Sequence, residues 1–207
     1  MLHQTLLTKY SIISDQIDRQ AMTVVLRELE KTLEQGMAGD IAEFGCYIGT
    51  TSIFIRRLMD GLKQSSSRKF YAYDSFEGLP DKTTADGSSA GVEFKAGVLS
   101  ISKKQFLKTF QKTGLTTPIT IKAWFKDLTA EQLPDKLAYV FLDGDFYQSI
   151  IDSLKLVWPR LTQGGTITVD DYNRAALPGV TLAVSEFFQG KNIIFHHEHG
   201  IAIIKKN

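Results

Sequence analysis

DIAEFGCYIGTTS, Asp40 to Ser52, reads as a buried strand that breaks at Gly45 and restarts as a helix after Gly49. An apolar strand end, two glycines that admit a ligand close to the backbone, and a helix N-terminus with free N–H groups make a junction suited to a carboxylate or phosphate. The dinucleotide fingerprint requires three glycines as G-x-G-x-x-G. Here Cys46, Tyr47 and Ile48 separate Gly45 from Gly49 and the third glycine is missing. A dinucleotide is therefore disfavoured, although two glycines so spaced also close a plain strand-to-helix turn.

Working outward, the chain of 207 residues is 43% hydrophobic, enough for one sizeable α/β core, and neither a repeat nor a linker-like tract divides it. We expect a single domain over 1–207, with an N-terminal helical segment at 1–38 and a catalytic core at 39–207. A net charge of +1, from 24 basic and 23 acidic residues, gives no electrostatic reason to expect nucleic acid or an anionic membrane. Small molecules are the expected partners, and self-association is left open. The single Cys46 excludes an internal disulfide framework, and MLHQTLLTKYSIIS is too polar for a secretory signal or a membrane span, so a cytoplasmic location is expected.

Residues 15–35 place Ile17, Ala21, Val24, Val25, Leu29 and Leu33 at helical spacing before Gly36. Strands and helices then alternate: IAEF, a helix over 50–63, FYAYD at 70–74, a helix near 103–113, ITIKAWF at 119–125, AYVFLD at 138–143, a helix over 147–161, TITVDD at 166–171 and a helix at 179–189. Such alternation predicts a doubly wound, mostly parallel sheet. NIIFHH and GIAIIKK are joined by too few residues for a parallel crossover, so the chain should end in an antiparallel hairpin, giving seven strands.

In open α/β sheets ligands sit outside the carboxyl ends of the strands, which here carry Glu43, Asp74, Trp124, Asp143 and Asp170. Asp74 ends the second strand, where a carboxylate can accept hydrogen bonds from ribose hydroxyls. Asp143, Asp145, Asp170 and Asp171 cluster at the ends of two successive strands, and hard oxygen donors of this kind suit a divalent cation. The same residues would also serve as a turn (DGD) and a helix-capping segment (DDY) without metal.

Glu43 resembles the acidic residue of the E-x-G-x-x-x-G motif of class I S-adenosylmethionine (SAM) methyltransferases. More specifically, AEFGCYIGTTS, AYDSFEGLPD, AWFKDL, FLDGDFYQSIIDSL, GGTITVDDYN and LPGVTLAVSEFF resemble, in that order, the macrocin O-methyltransferase (TylF-like) family, over residues 40–190. That resemblance implies a SAM-dependent, Mg²⁺-assisted O-methyltransferase acting on a hydroxyl of a small molecule, such as a sugar of a glycosylated metabolite. It implies a cofactor site at Glu43, Gly45, Tyr47, Gly49, Thr50, Thr51, Asp74, Ser75, Phe76, Trp124, Phe125 and Asp143. It further implies Mg²⁺ at Asp143, Asp170 and Asp171, with Asp143 and Asp145 as the catalytic pair and Asp145 as the base. Phe146 stands where some relatives carry a basic histidine, so this local motif does not support a histidine mechanism.

The Gly/Ser/Thr-rich loop from Pro80 to Gly91 has the composition of a mobile cover, or of a plain surface loop. His196, His197 and His199 read as a surface turn rather than a metal cluster, since strand alternation sends neighbours to opposite faces. Cys46 has no base partner in sequence and reads as an apolar filler. Two other readings stay open: an NAD(P)-dependent oxidoreductase, and a SAM- or nucleotide-binding module without catalysis.

Overall fold

The computed structural model describes residues 1–207. Seven strands form one sheet in the order β3-β2-β1-β4-β5-β7-β6. They are β1 (Asp40–Phe44), β2 (Phe70–Asp74), β3 (Ile119–Lys122), β4 (Leu137–Leu142), β5 (Leu161–Val169), β6 (Ile193–Glu198) and β7 (Ile201–Lys206). The first five run parallel, and β7 pairs antiparallel with both β5 and β6, which is the terminal hairpin the sequence calls for. Strand order reverses between β1 and β4, so a crevice opens beyond their carboxyl ends.

Helices α1 (Leu2–Lys9), α2 (Arg19–Glu34), α3 (Thr50–Gly61), α4 (Lys103–Thr113), α5 (Tyr147–Val157) and α6 (Pro178–Phe188) cover the sheet. β4 shows why: every residue of LAYVFL is buried, with Val140 and Leu142 facing the α5–α6 core and Tyr139 and Phe141 facing the core beneath α2 and α3. An all-apolar run of this kind is what a strand covered on both faces requires. Tyr139 satisfies its buried hydroxyl by donating to the Val25 carbonyl at 3.0 Å while pairing with Thr168 at 2.6 Å, which ties α2 to the sheet. α2 begins at Asp18, whose side chain accepts the Ala21 amide at 2.8 Å.

Four places differ from the sequence reading: the N-terminal helix, the end of β3, the α5–β5 junction and the loop after β2. α1 is a helix that periodicity did not reveal. It is only two turns long and is held by tertiary contacts: Leu6 and Leu7 are buried, and Glu30 of α2 accepts the amides of Leu2 and His3 and pairs with the His3 imidazole. β3 ends at Lys122, because Trp124 starts a 3-10 turn over Phe125–Asp127 and leaves the sheet edge. α5 stops at Val157, and β5 starts at Leu161, earlier than its apolar pattern indicates.

The fourth difference concerns the loop from Pro80 to Gly91, which is pinned. Asp86 is buried, its Oδ1 accepting the Tyr147 amide at 2.7 Å and its Oδ2 the Thr83 amide and hydroxyl at 2.8 and 2.7 Å. The Ser88 hydroxyl donates to the Ala175 carbonyl at 2.6 Å, and Gly91 lies against the Ala176 carbonyl. Composition suggested a mobile cover; these contacts make the loop a fixed wall against the start of α6. No helix is long and apolar enough to cross a membrane.

Candidate active site

The glycine turn is built by close backbone approach. Gly45 has φ of 88°, and a Cβ there would stand 1.9 Å from the Asp143 carbonyl oxygen, so only glycine lets the ends of β1 and β4 meet. The Asp143 amide donates to the Phe44 carbonyl at 2.8 Å, fastening the two strand ends. The chain then turns into α3, whose first amides, those of Thr50, Thr51 and Ser52, find no acceptor in the chain. The buried Thr50 hydroxyl is also without a partner. Free donors at a helix start suit an anionic ligand group such as a carboxylate.

Asp74 organises this turn. Its Oδ2 accepts the Cys46 and Tyr47 amides at 2.8 and 3.0 Å, and its Oδ1 accepts the Phe76 amide at 2.7 Å. Each carboxylate oxygen keeps further acceptor capacity, so a ribose hydroxyl is compatible with this role. Tyr47 and Phe76 both hold positive φ, 42° and 53°, and the Asp74 bonds fix their amides in place.

A cleft of about 470 Å³ lies over the strand ends. Of the expected cofactor residues, Gly45, Tyr47, Asp74, Ser75, Trp124, Phe125 and Asp143 line it. Glu43, Gly49, Thr50, Thr51 and Phe76 stand behind its wall. Glu43 is buried and accepts a hydrogen bond from Ser52 of α3, and burial pushes its carboxyl up to about 8, so it stays protonated at neutral pH. Phe76 instead packs on Phe106 of α4, with ring centroids 5.7 Å apart. Phe125 meets the ring of Phe44 edge-on at 5.3 Å, which sets the floor of the cleft beside Trp124. Cys46 is buried beside Asp74, and burial together with the carboxylates nearby raises its thiol well above the usual range, as befits a packing residue and not a nucleophile.

In the same cleft, Asp143, Asp145 and Asp171 bring carboxylate oxygens within 4.8 Å of one another. Asp145 and Asp171 reach this point from left-handed backbone, with φ of 59° and 57°. Asp170, expected among the metal ligands, is buried next to the triple but outside it, its Oδ1 accepting the Asp171 amide at 2.8 Å. The triple thus contains the residue expected to act as base and omits one expected to bind metal. Burial raises all four carboxyls, and their mutual repulsion raises Asp143, Asp145 and Asp170 further; Asp170 reaches about 8. Arg174 opposes this at Asp171, with Nε 3.1 Å from Oδ1. Six oxygens around one Mg²⁺ at about 2.1 Å lie about 3 to 4.2 Å apart, so this hard-oxygen set fits such an ion after small side-chain adjustments.

The three histidines of the terminal hairpin form no such group. His196 and His197 oppose Ile203 and Ala202 in the β6–β7 ladder and point to opposite faces, as alternation requires. What sequence reasoning did not assign to the site is the wider lining of the cleft, including Gln16 and, within FLDGDFYQSIIDSL, Gln148, Ser149 and Asp152.

With this geometry in view, comparison with known proteins is informative. Residues 11–199 match the macrocin-O-methyltransferase (TylF) family. The chain is 34% identical over 150 residues to 8-demethyl-8-(2,3-dimethoxy-alpha-L-rhamnosyl)-tetracenomycin-C 4'-O-methyltransferase of Streptomyces olivaceus, covering 70% of this chain and 57% of that protein. It is 30% identical over 167 residues to mycinamicin III 3''-O-methyltransferase of Micromonospora griseorubida, covering 77% and 64%. The chain therefore spans roughly three fifths of the length of these relatives. The O-methyltransferase NovP superposes with a TM-score of 0.75 at 24% identity, covering 90% of this chain and 79% of that one, a likeness that concerns the fold. The family match over most of the chain and the 34% identity to a curated relative agree with the motifs at the glycine turn and the acid triple: this chain belongs to the TylF macrocin-O-methyltransferase family.

Proposed function

We propose that the protein transfers a methyl group from SAM to a hydroxyl of a small molecule, the acceptor being a sugar of a glycosylated metabolite. One observation carries this reading: a single cleft is lined both by the glycine turn with Asp74 and by Asp143, Asp145 and Asp171. Relatives named for a rhamnosyl tetracenomycin and for mycinamicin III support the acceptor class.

The residues divide the work. The glycine turn receives the methionine end of SAM with the free α3 amides behind it, Asp74 takes the ribose hydroxyls, and Trp124 and Phe125 border the adenine. The acceptor oxygen attacks the methyl carbon, the carbon–sulfur bond breaks with its electron pair passing to sulfur, and the hydroxyl proton passes to Asp145. Because the sulfonium already activates the methyl group, the protein's contribution is alignment and proton removal. Asp143 and Asp171 of the acid triple would hold Mg²⁺, with Asp170 buried behind them, and the ion would supply Lewis acidity to the acceptor hydroxyl when bound.

Calorimetry with SAM, S-adenosylhomocysteine and NAD(P) tests the cofactor: micromolar binding of the first two and none of the third is expected. Binding of NAD(P) alone would replace this reading with the oxidoreductase. Methyl incorporation into a glycosylated acceptor, lost on chelation, tests the rest. Failure of every glycoside to accept methyl while SAM binds would favour the binding module.

A further inference from the structure

A second cavity, of about 370 Å³, shares Arg174 with the cleft that holds the acid triple. Arg174 lines both spaces, and with Nε committed to Asp171 its two Nη groups have no acceptor in the chain. Gln20, Asn173, His197 and His199 stand around the same space, all exposed, so five side chains able to donate hydrogen bonds converge there. Beside them Tyr172, Phe195 and His197 form an aromatic group, with Tyr172 5.5 Å from Phe195 and 5.2 Å from His197 between ring centroids. Phe195 is 40% exposed, more than its packing on Tyr172 needs. The one acidic wall residue, Asp18, is occupied in part by the Ala21 amide and keeps acceptor capacity suited to a hydroxyl.

We infer that this cavity is a subsite for a nucleoside diphosphate, the carrier half of a nucleotide-activated sugar whose sugar half lies at the acid triple. The inference rests on the methyl-transfer reading and moves its acceptor from the finished glycosylated metabolite to the nucleotide-activated sugar that precedes it. Arg174 provides the planar donor fork that matches a phosphate, and His197 and His199 add donors to the diphosphate. The Phe195 and Tyr172 rings offer the base a stacking surface, and Asp18 an acceptor for ribose. Arg174, sharing its guanidinium between Asp171 and the diphosphate, joins the two halves of the acceptor across one residue.

The test is calorimetry on the full chain with UDP, uridine and inorganic pyrophosphate as probes, without divalent cations so that no probe is drawn to the acid triple. S-adenosylhomocysteine is titrated in parallel. UDP should bind at least about tenfold more tightly than uridine or pyrophosphate. A His197→Ala/His199→Ala double variant should weaken UDP by about tenfold and leave S-adenosylhomocysteine unchanged; both residues are exposed, so folding is unaffected. Phe195→Ser should bring UDP and pyrophosphate to similar affinity. No binding of UDP, or binding that survives the double variant, with normal S-adenosylhomocysteine affinity, overturns the subsite and leaves methyl transfer standing. Absence of S-adenosylhomocysteine binding in the parent overturns methyl transfer, and with it the assignment of this cavity to an acceptor.

Discussion

Gly179, in the first turn of α6, touches Asp86 so closely that a Cβ would stand 1.9 Å from the carboxylate Oδ1 and 2.9 Å from the Tyr147 amide. The loop wall, the start of α5 and the start of α6 thus meet at one buried carboxylate. Gly179→Ala must drive these three segments apart, at a cost of about 1–3 kcal/mol, as overpacking typically does. A thermal melt should show a fall of about 2–12 °C, given about 2–4 °C per kcal/mol for a protein of this size. An unchanged melting temperature would show that the Asp86 contacts do not hold the loop.

Asp145→Asn preserves size and removes the basic site. Turnover should fall by about 10²–10⁴-fold, the usual contribution of a general base, with SAM affinity little changed. The variant also separates the two roles that the geometry allows. If Asp145 ligates Mg²⁺ as its place in the triple permits, the variant will need far more Mg²⁺ for half-maximal rate. If it takes the proton, the Mg²⁺ requirement will hold and the rise of rate with pH will disappear.

Asp74→Ala removes one carboxylate from three amides and, under the proposed function, from the ribose as well. Loss of charge-assisted hydrogen bonds worth roughly 1.5–3 kcal/mol should weaken SAM by about ten- to a hundredfold in calorimetry. Equal SAM affinity in this variant would remove Asp74 from the cofactor site.

Stability should depend on pH in an unusual sense. Glu43 and Asp170 keep their protons up to about pH 8 in the folded chain, whereas unfolded carboxyls release theirs near pH 4. Between those limits the unfolded state binds fewer protons, so the unfolding free energy falls as pH rises and levels off above about pH 8. Melting temperatures across that range should follow this slope, Glu43→Gln should flatten part of it, and millimolar Mg²⁺ should restore more stability at the alkaline end than at the acidic end. A melting temperature that climbs from about pH 5 to about pH 8 would contradict the buried, protonated carboxyls.

The sheet was legible because its signals are local. Alternation of apolar runs with helical spacing gives the strand count, and the short link between NIIFHH and GIAIIKK gives the antiparallel end. α1 was not, because its helix depends on Glu30, 27 residues away from His3. The acid residues stood out as strand-end aspartates, yet which three converge is decided by the left-handed backbone at Asp145 and Asp171, a feature aspartate tolerates but does not announce. The anchoring of the loop was hidden for a related reason: DKTTADGSSAG has loop composition, while its buried Asp86 finds its partner amide at Tyr147. The motif marks Glu43 for the cofactor, while its contact with Ser52 and its place outside the cleft lining are features that only packing reveals.

The union of β1 and β4 at Gly45 acts as a ruler. The turn that would hold the methyl donor and the aspartate that would face the acceptor are separated by one backbone contact, the Asp143 amide on the Phe44 carbonyl. Donor-to-acceptor spacing is then a property of main chain, insensitive to exchanges among Gln16, Gln148 and Ser149 that line the open part of the cleft. Redesign of acceptor preference can accordingly proceed at those side chains with the line of methyl transfer left in register.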